Sequence, residues 1–199
     1  MTGLRARKKQ QTHDALSEAA IKLFLERGFD EVSVTDIATA ANVSKPTLFK
    51  YFPTKQDLVL HRFADHQHEA ARVVAASSAP SASPVEALRD HFLAGLDRHD
   101  PVTGLNDDPA VLAFYELVFT TPALESRLTR FVAADEEALA VALGGHLRAA
   151  VTAACLISVN QVLSRRNWQV MTSGMAADVY HPTAYAEAIT AYKALAAGL

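Results

Sequence analysis

An all-α fold of about nine helices is what this sequence predicts, and three observations predict it. Apolar residues recur at three- and four-residue spacing through most of the 199 positions, the signature of helices with one buried face. No stretch alternates apolar and polar residues convincingly enough to read as a strand. Helix punctuation falls between the apolar stretches: Gly28, Pro53, a Ser-Ala-Pro loop over residues 77–84, Asp100-Pro101, Pro122, Gly144-Gly145 and Gly174. Half of the residues are hydrophobic, enough for a sizeable core. No run reads as long and apolar enough to span a membrane, and MTGLRARKKQ is basic with no apolar segment behind it, unlike a secretory signal.

The chain divides unevenly. Residues 1–62 carry ten Lys and Arg against seven Asp and Glu, a balance of +3; residues 63–199 carry nine against fifteen, a balance of −6. That asymmetry points a polyanion at the N-terminal end and away from the other. Two domains are expected, 1–60 and 61–199, with a long helix from Thr54 connecting them. Arg5, Arg7, Lys8 and Lys9 read as a flexible basic arm. The first helix is expected over about 12–27, with Leu16, Ala19, Ala20, Leu23 and Phe24 inward and Gly28 as its stop.

Residues 33–57, SVTDIATAANVSKPTLFKYFPTKQD, read as two short helices around a tight turn, with a third beginning at once. Ser33 is an N-cap with Asp36 three residues on, and Val34, Ile37, Ala38 and Ala41 share one face. Asn42 suits the left-handed turn, Ser44 caps the next helix, and Pro46 fits its first turn because the missing N–H has no partner there anyway. Leu48 and Phe52 return to the core while Lys45, Thr47, Lys50 and Tyr51 stay polar. Thr54 to Asp57 is a second capping box, opening a long helix with Leu58, Val59, Phe63, Val73 and Val74. This is a helix-turn-helix.

Together, the LF…RGF end of the first helix, the T-D-I-A core, the A-N-V-S turn, T-L-F-K-Y-F and T-K-Q-D resemble the DNA-binding domain of the tetracycline-repressor (TetR) family, over about residues 12–60. The resemblance implies a transcriptional regulator, most often a repressor, with a C-terminal helical bundle for ligand binding and dimerisation. It implies double-stranded DNA with a palindromic operator as partner, a homodimer, a cytoplasmic location and no membrane. By resemblance Thr47, Tyr51 and Lys55 hold phosphates. Lys45 and Lys50 reach base edges, Pro46 touches a thymine methyl, and Ser33, Thr35 and Ser44 lie in the same DNA-binding set.

Beyond residue 60 the sequence is bulky and apolar. Further helices are expected over about 85–99, 109–121, 122–143, 146–166 and 182–197. Phe63, Phe92, Phe114, Tyr115, Phe119, Phe131 and Trp168 are either plain core or, as the resemblance implies, the lining of an effector pocket. His99, Tyr115 and Asn160 would then be its polar contacts, and the effector mainly apolar. Ala153, Leu156, Ile157, Asn160 and Leu163 share one side of a nearly uncharged helix that suits a dimer seam, with Asn160 fixing register or lining the pocket.

Catalysis has little support. No Ser-His-Asp, phosphate-loop, dinucleotide or zinc-protease spacing occurs, and no cofactor is expected. Cys155, the single cysteine, reads as a core thiol and suits a reducing compartment. His61, Asp65 and His68 at i, i+4 and i+7 form a possible metal face on the connecting helix, though a solvated face is the commoner meaning of that pattern. Two alternatives stand beside a ligand-responsive regulator: a helix-turn-helix regulator with no small-molecule ligand, and an enzyme or carrier with a retained DNA-binding head.

Overall fold

The periodicity is realised as ten α-helices and one 3-10 turn among the described residues. The computed structural model describes residues 2–64, 66–77 and 83–198. The helices are α1 (Thr2–Arg27), α2 (Val34–Ala40), α3 (Lys45–Tyr51), α4 (Asp57–Ala64) and α5 (Glu69–Ala76). They continue with α6 (Pro84–Asp97), the 3-10 turn Pro101–Thr103, α7 (Pro109–Thr120), α8 (Pro122–Ala142), α9 (Leu147–Thr172) and α10 (Ala177–Gly198). No strand occurs among the described residues. The fold is all-α, as expected.

Two compact units divide the chain, residues 1–65 with 113–129 and residues 66–112 with 130–199. In the first, α1 packs on α2 and α4, and α2 on α3. Leu16, Ala20, Phe24, Val32, Ile37, Leu48, Phe52, Leu58, Val59 and Leu60 are buried there, as are Phe114, Leu117 and Val118 of α7 and Leu124 of α8. The buried Ser17 hydroxyl donates to the Leu58 carbonyl at 3.2 Å, so the polar group is satisfied inside an apolar contact.

The second unit is built from α5, α6, α9, α10 and parts of α7 and α8. Its core holds Leu88, Phe92, Leu96, Leu105, Leu139, Ala153, Leu156, Met171, Ala184, Ala188 and Tyr192. Gly104, at φ +73, lets the 3-10 turn lie flat on α9: a Cβ there would stand 2.0 Å from the Ser164 carbonyl oxygen. Asn167 Nδ2 donates to the Thr103 carbonyl at 2.9 Å and Ser164 Oγ to that of Val102 at 2.8 Å. Both anchor the same turn.

Several boundaries differ from the sequence reading. The first helix begins at Thr2, so Arg7, Lys8 and Lys9 project from exposed helical turns and not from a flexible arm; the Arg5 side chain lies outside the described ones. The long connecting helix is two helices, α4 and α5, with a turn over residues 66–68 and His68 in the left-handed conformation at φ 62. A run of polar residues at this point gives the helix nothing apolar to bury, and side chains take over the backbone groups. Asp135 accepts the His68 N–H at 2.7 Å, and the Arg72 guanidinium donates to the Gln67 carbonyl at 2.5 Å. The metal reading loses its shared face. His61 packs against His13 and Phe52 in the first unit, His68 belongs to the second, and Asp65 lies outside the described residues. No group of three or more possible ligands gathers among the described residues.

The last helix starts at Ala177, five residues before the expected Pro182. Asp107 accepts the Ala177 N–H at 2.9 Å, a cap supplied from 70 residues away. Pro182 therefore lies inside the helix, past its first turn, where it has no N–H to give the Asp178 carbonyl. Residues 78–82 of the expected Ser-Ala-Pro loop lie outside the described residues. The ninth helix is longer than expected, 26 residues, and by length and composition apolar enough to cross a membrane, with a mean hydropathy of 1.4 over its most apolar stretch. Here it packs on α6 and α10. Its residues Ala153, Leu156, Ile157 and Leu163, expected at a dimer seam, face the chain's own core instead.

Glu69 fastens α5. His91 Nε2 stands 3.4 Å from one carboxylate oxygen and His66 Nδ1 2.9 Å from the other. Hydrogen bonding to His91, then to His66, holds the carboxyl down to about 2, against burial that raises it. A carboxyl lowered in the folded state adds stability above its unfolded value near 4.5, and that stability drains away as pH falls towards 2. Thermal melts of Glu69→Gln should therefore show a shallower loss of Tm between those pH values than the parent protein. Identical slopes would show that the contact contributes nothing.

Candidate nucleic-acid interface

The site begins with two caps. Ser33 and Asp36 exchange bonds across the first turn of α2: Asp36 N–H donates to Ser33 Oγ at 3.1 Å, and Ser33 N–H to Asp36 Oδ2 at 2.8 Å. The Ser33 side chain, then its backbone N–H, hold the Asp36 carboxyl below its ordinary range. Asn42 takes the left-handed conformation at φ 52 and turns the chain. Ser44 Oγ accepts the Thr47 N–H at 3.3 Å and lies 2.8 Å from Thr47 Oγ1, opening α3 with Pro46 in its first turn. The Phe52 N–H closes the helix on the Leu48 carbonyl at 2.9 Å.

A seven-residue helix shows one face inward and one outward. Leu48 is wholly buried and Phe52 nearly so, while Ser44, Lys45, Pro46 and Lys50 are exposed and Thr47 and Tyr51 half-buried. Thr35 is exposed on α2 beside the Ser33 cap. The residues of the expected short polar helix and its flanking caps are thus exposed or half-buried. It also adds Phe49, which the sequence reading left out of the site. Its ring is 41% exposed, and the Lys45 ammonium stands 6.0 Å from its centroid. The signal was present: positions 45, 46, 49 and 50 lie on one helical face, and an aromatic there has no core to enter.

Lys55 is placed differently from the expectation of a phosphate contact. Its ammonium donates to the Phe29 carbonyl and lies 4.3 Å from the Phe29 ring centroid and 5.4 Å from that of Phe24. Burial pushes it below the ordinary lysine range, opposed by Asp30 and Glu31. In this arrangement Lys55 ties the turn after α3 to the end of α1.

The residues expected around an effector fall into separate groups. Phe63, Phe114, Tyr115 and Phe119 cluster in the first unit: Phe63 lies 5.9 Å from both Phe114 and Tyr115, and Tyr115 lies 5.6 Å from Phe119. In the second unit, Phe92 packs 6.4 Å from Tyr192, whose hydroxyl bonds Asn160 Oδ1 and the Leu88 carbonyl. Burial pushes that phenol above its ordinary range. His99 faces Asp178 at 3.5 Å, Trp168 lies under the Arg165 guanidinium, and Phe131 is half-buried. An open trough of about 610 Å³ lies instead along α9 and α10, bounded by Leu163, Arg166, Pro182, Ala186, Glu187 and Ala194, and includes none of these nine residues.

A capped pair of short helices with a basic, outward face is a helix-turn-helix, the head of a DNA-binding protein. Residues 16–61 match the family model described as bacterial regulatory proteins, tetR family. The HTH-type transcriptional regulator TcmR of Streptomyces glaucescens is 31% identical over 177 residues, covering 82% of this chain and 76% of that protein. Among solved structures, NalD, the secondary repressor of the MexAB-OprM multidrug efflux pump in Pseudomonas aeruginosa, matches with a TM-score of 0.60 at 14% identity. That match covers 93% of this chain and 97% of NalD. A SmeT–triclosan complex matches at a TM-score of 0.58 and 16% identity, covering 91% of each chain. The chain belongs to the tetR family of bacterial regulatory proteins and is a helix-turn-helix transcriptional regulator.

The placement of Lys55 has a measurable consequence. Lys55→Met should lower stability by about 1–2 kcal/mol, through loss of a charged hydrogen bond and two ring contacts. Urea unfolding reads this directly, and an unchanged midpoint would mean the ammonium is free in solution.

Proposed function

We propose that this regulator is a homodimeric, cytoplasmic repressor that binds a palindromic operator and leaves it when a mainly apolar small molecule binds. The observation that carries the DNA half is the outward face of α3, with Lys45, Phe49 and Lys50 exposed above the buried Leu48 and Phe52. Lys45 and Lys50 read base edges, since long cationic donors suit guanine N7 and O6, and Pro46 and Phe49 offer apolar contact to thymine methyls. Ser33, Thr35, Ser44, Thr47 and Tyr51 hold the backbone, and Lys55 joins them only by giving up its bond to Phe29.

Support for a dimer comes from the outer faces of α9 and α10. Leu147, Val151 and Val162 on α9 and Val179 on α10 are 83%, 50%, 66% and 70% exposed, an apolar set that a lone chain would leave in water. Support for the effector comes from kinship and chemistry. SmeT is seen with triclosan, and NalD is the secondary repressor of a multidrug efflux pump. The Phe63, Phe114, Tyr115 and Phe119 cluster is the apolar surface on which we place such a molecule, with Tyr115 as its polar contact. The protein acts by binding, not by turnover. Release requires only that the effector prefer the conformation with low operator affinity, and about 1.4 kcal/mol of that preference changes occupancy tenfold.

Selection from a random duplex library tests the reading. The parent protein should enrich one palindromic sequence, and Lys50→Ala should relax preference at one symmetric pair of positions, at a cost of about 1–3 kcal/mol per contact. Equal weakening on all sequences would instead make Lys50 a phosphate contact.

A further inference from the structure

Helices α7 and α8 are each divided between the two compact units. Residues 113–129 pack with the DNA-binding head, whereas Pro109–Leu112 and residues 130–142 belong to the other unit. The eighth helix is continuous through the change, 21 residues or about 30 Å at the usual rise. An unbroken helix is one kind of element through which energetic coupling can travel.

Its contact with the head is specific. Arg127 presents Nε at 3.3 Å and Nη2 at 3.0 Å to Asp57 Oδ1. Asp57 is only 16% exposed and Arg127 31%, so the pair is partly withdrawn from water. The other oxygen of Asp57 is already in use: Oδ2 accepts the Thr54 N–H at 3.0 Å, and the Asp57 N–H donates to Thr54 Oγ1 at 3.2 Å. This capping box starts α4 and follows two residues after Phe52, the residue that closes α3. One carboxylate therefore links the turn behind the recognition helix to α8. Lys55 holds the same turn through the Phe29 carbonyl.

We infer that Arg127 is a positioning residue: through Asp57 it couples the state of α8 to the orientation of the recognition helix, without touching DNA itself. A merely structural ion pair would hold the head together and carry no information along α8. The two roles differ in what DNA binding does to residues 130–142, because coupling is reciprocal: if α8 biases α3, then DNA on α3 must bias α8.

The test uses the full-length protein and its library-selected operator duplex, with hydrogen–deuterium exchange followed by mass spectrometry. In the parent protein the duplex should slow exchange in α3 and also in residues 130–142. Arg127→Met should keep the α3 protection and bind the duplex within roughly fivefold of the parent, yet lose the DNA-dependent change in 130–142. Arg127→Lys retains the charge without the fork and should recover part of it, with Asp57→Asn matching Arg127→Met. Thermal melts of all variants guard against simple unfolding. The inference falls if the parent shows no DNA-dependent change beyond residue 129, or if Arg127→Met keeps it. It falls equally if the signal in 130–142 is lost only in step with operator affinity and Tm across all three variants.

Discussion

A helix of seven residues does not persist in water, because too few bonds repay the cost of its nucleus. The recognition helix α3 exists only because Leu48 and Phe52 are driven into the core of the first unit and Ser44 caps its start. That constraint decides the rest of the head. With one face consumed by burial, the outward positions are released from packing, and they carry Lys45, Pro46, Phe49 and Lys50. Burial of two side chains thus fixes the rotation of the helix and selects the residues that face outward.

Around α3 the chain spends its polar contacts on turns. The Ser33–Asp36 box sets α2, Asn42 makes the sharp corner, and the Thr54–Asp57 box starts α4 immediately after the recognition helix. Lys55 and Arg127 then brace that last turn, one through the Phe29 carbonyl and one through the capping carboxylate. The second unit uses the same economy: Asp107 caps α10, Asn167 and Ser164 hold the 3-10 turn, and Tyr192 satisfies its hydroxyl within a core of Leu88, Phe92 and Leu96. Polar groups here are placed where the backbone would otherwise be left open.

The parts legible from sequence were those whose causes lie within four residues. Caps, the Asn42 corner, the Gly28 stop and the inward Leu48 and Phe52 are local choices, and all were readable in 28–57. Braces from afar were not: Lys55 finds its carbonyl 26 residues away and Arg127 its carboxylate 70 residues away. The turn between α4 and α5 is also held by Asp135, 67 residues away, which local periodicity does not register. The ninth helix shows a different limit. It is apolar on most sides, so the pattern announced burial without saying which side meets the chain's own core, and Ala153, Leu156 and Ile157 turned inward while Val151 and Val162 stayed out. Effector-site residues were legible only as bulk, because a core phenylalanine and a pocket phenylalanine have the same sequence signature.

The central claim is that the exposed face of α3 enters the major groove, once per protomer of a symmetric pair. Dimethyl sulfate footprinting on the selected operator tests it directly, since the reagent methylates guanine N7 on the major-groove edge. The account predicts two protected patches related by two-fold symmetry and centred about one helical turn, roughly 10 base pairs, or a multiple of it apart. A single patch, or binding that leaves every major-groove guanine reactive, would contradict it.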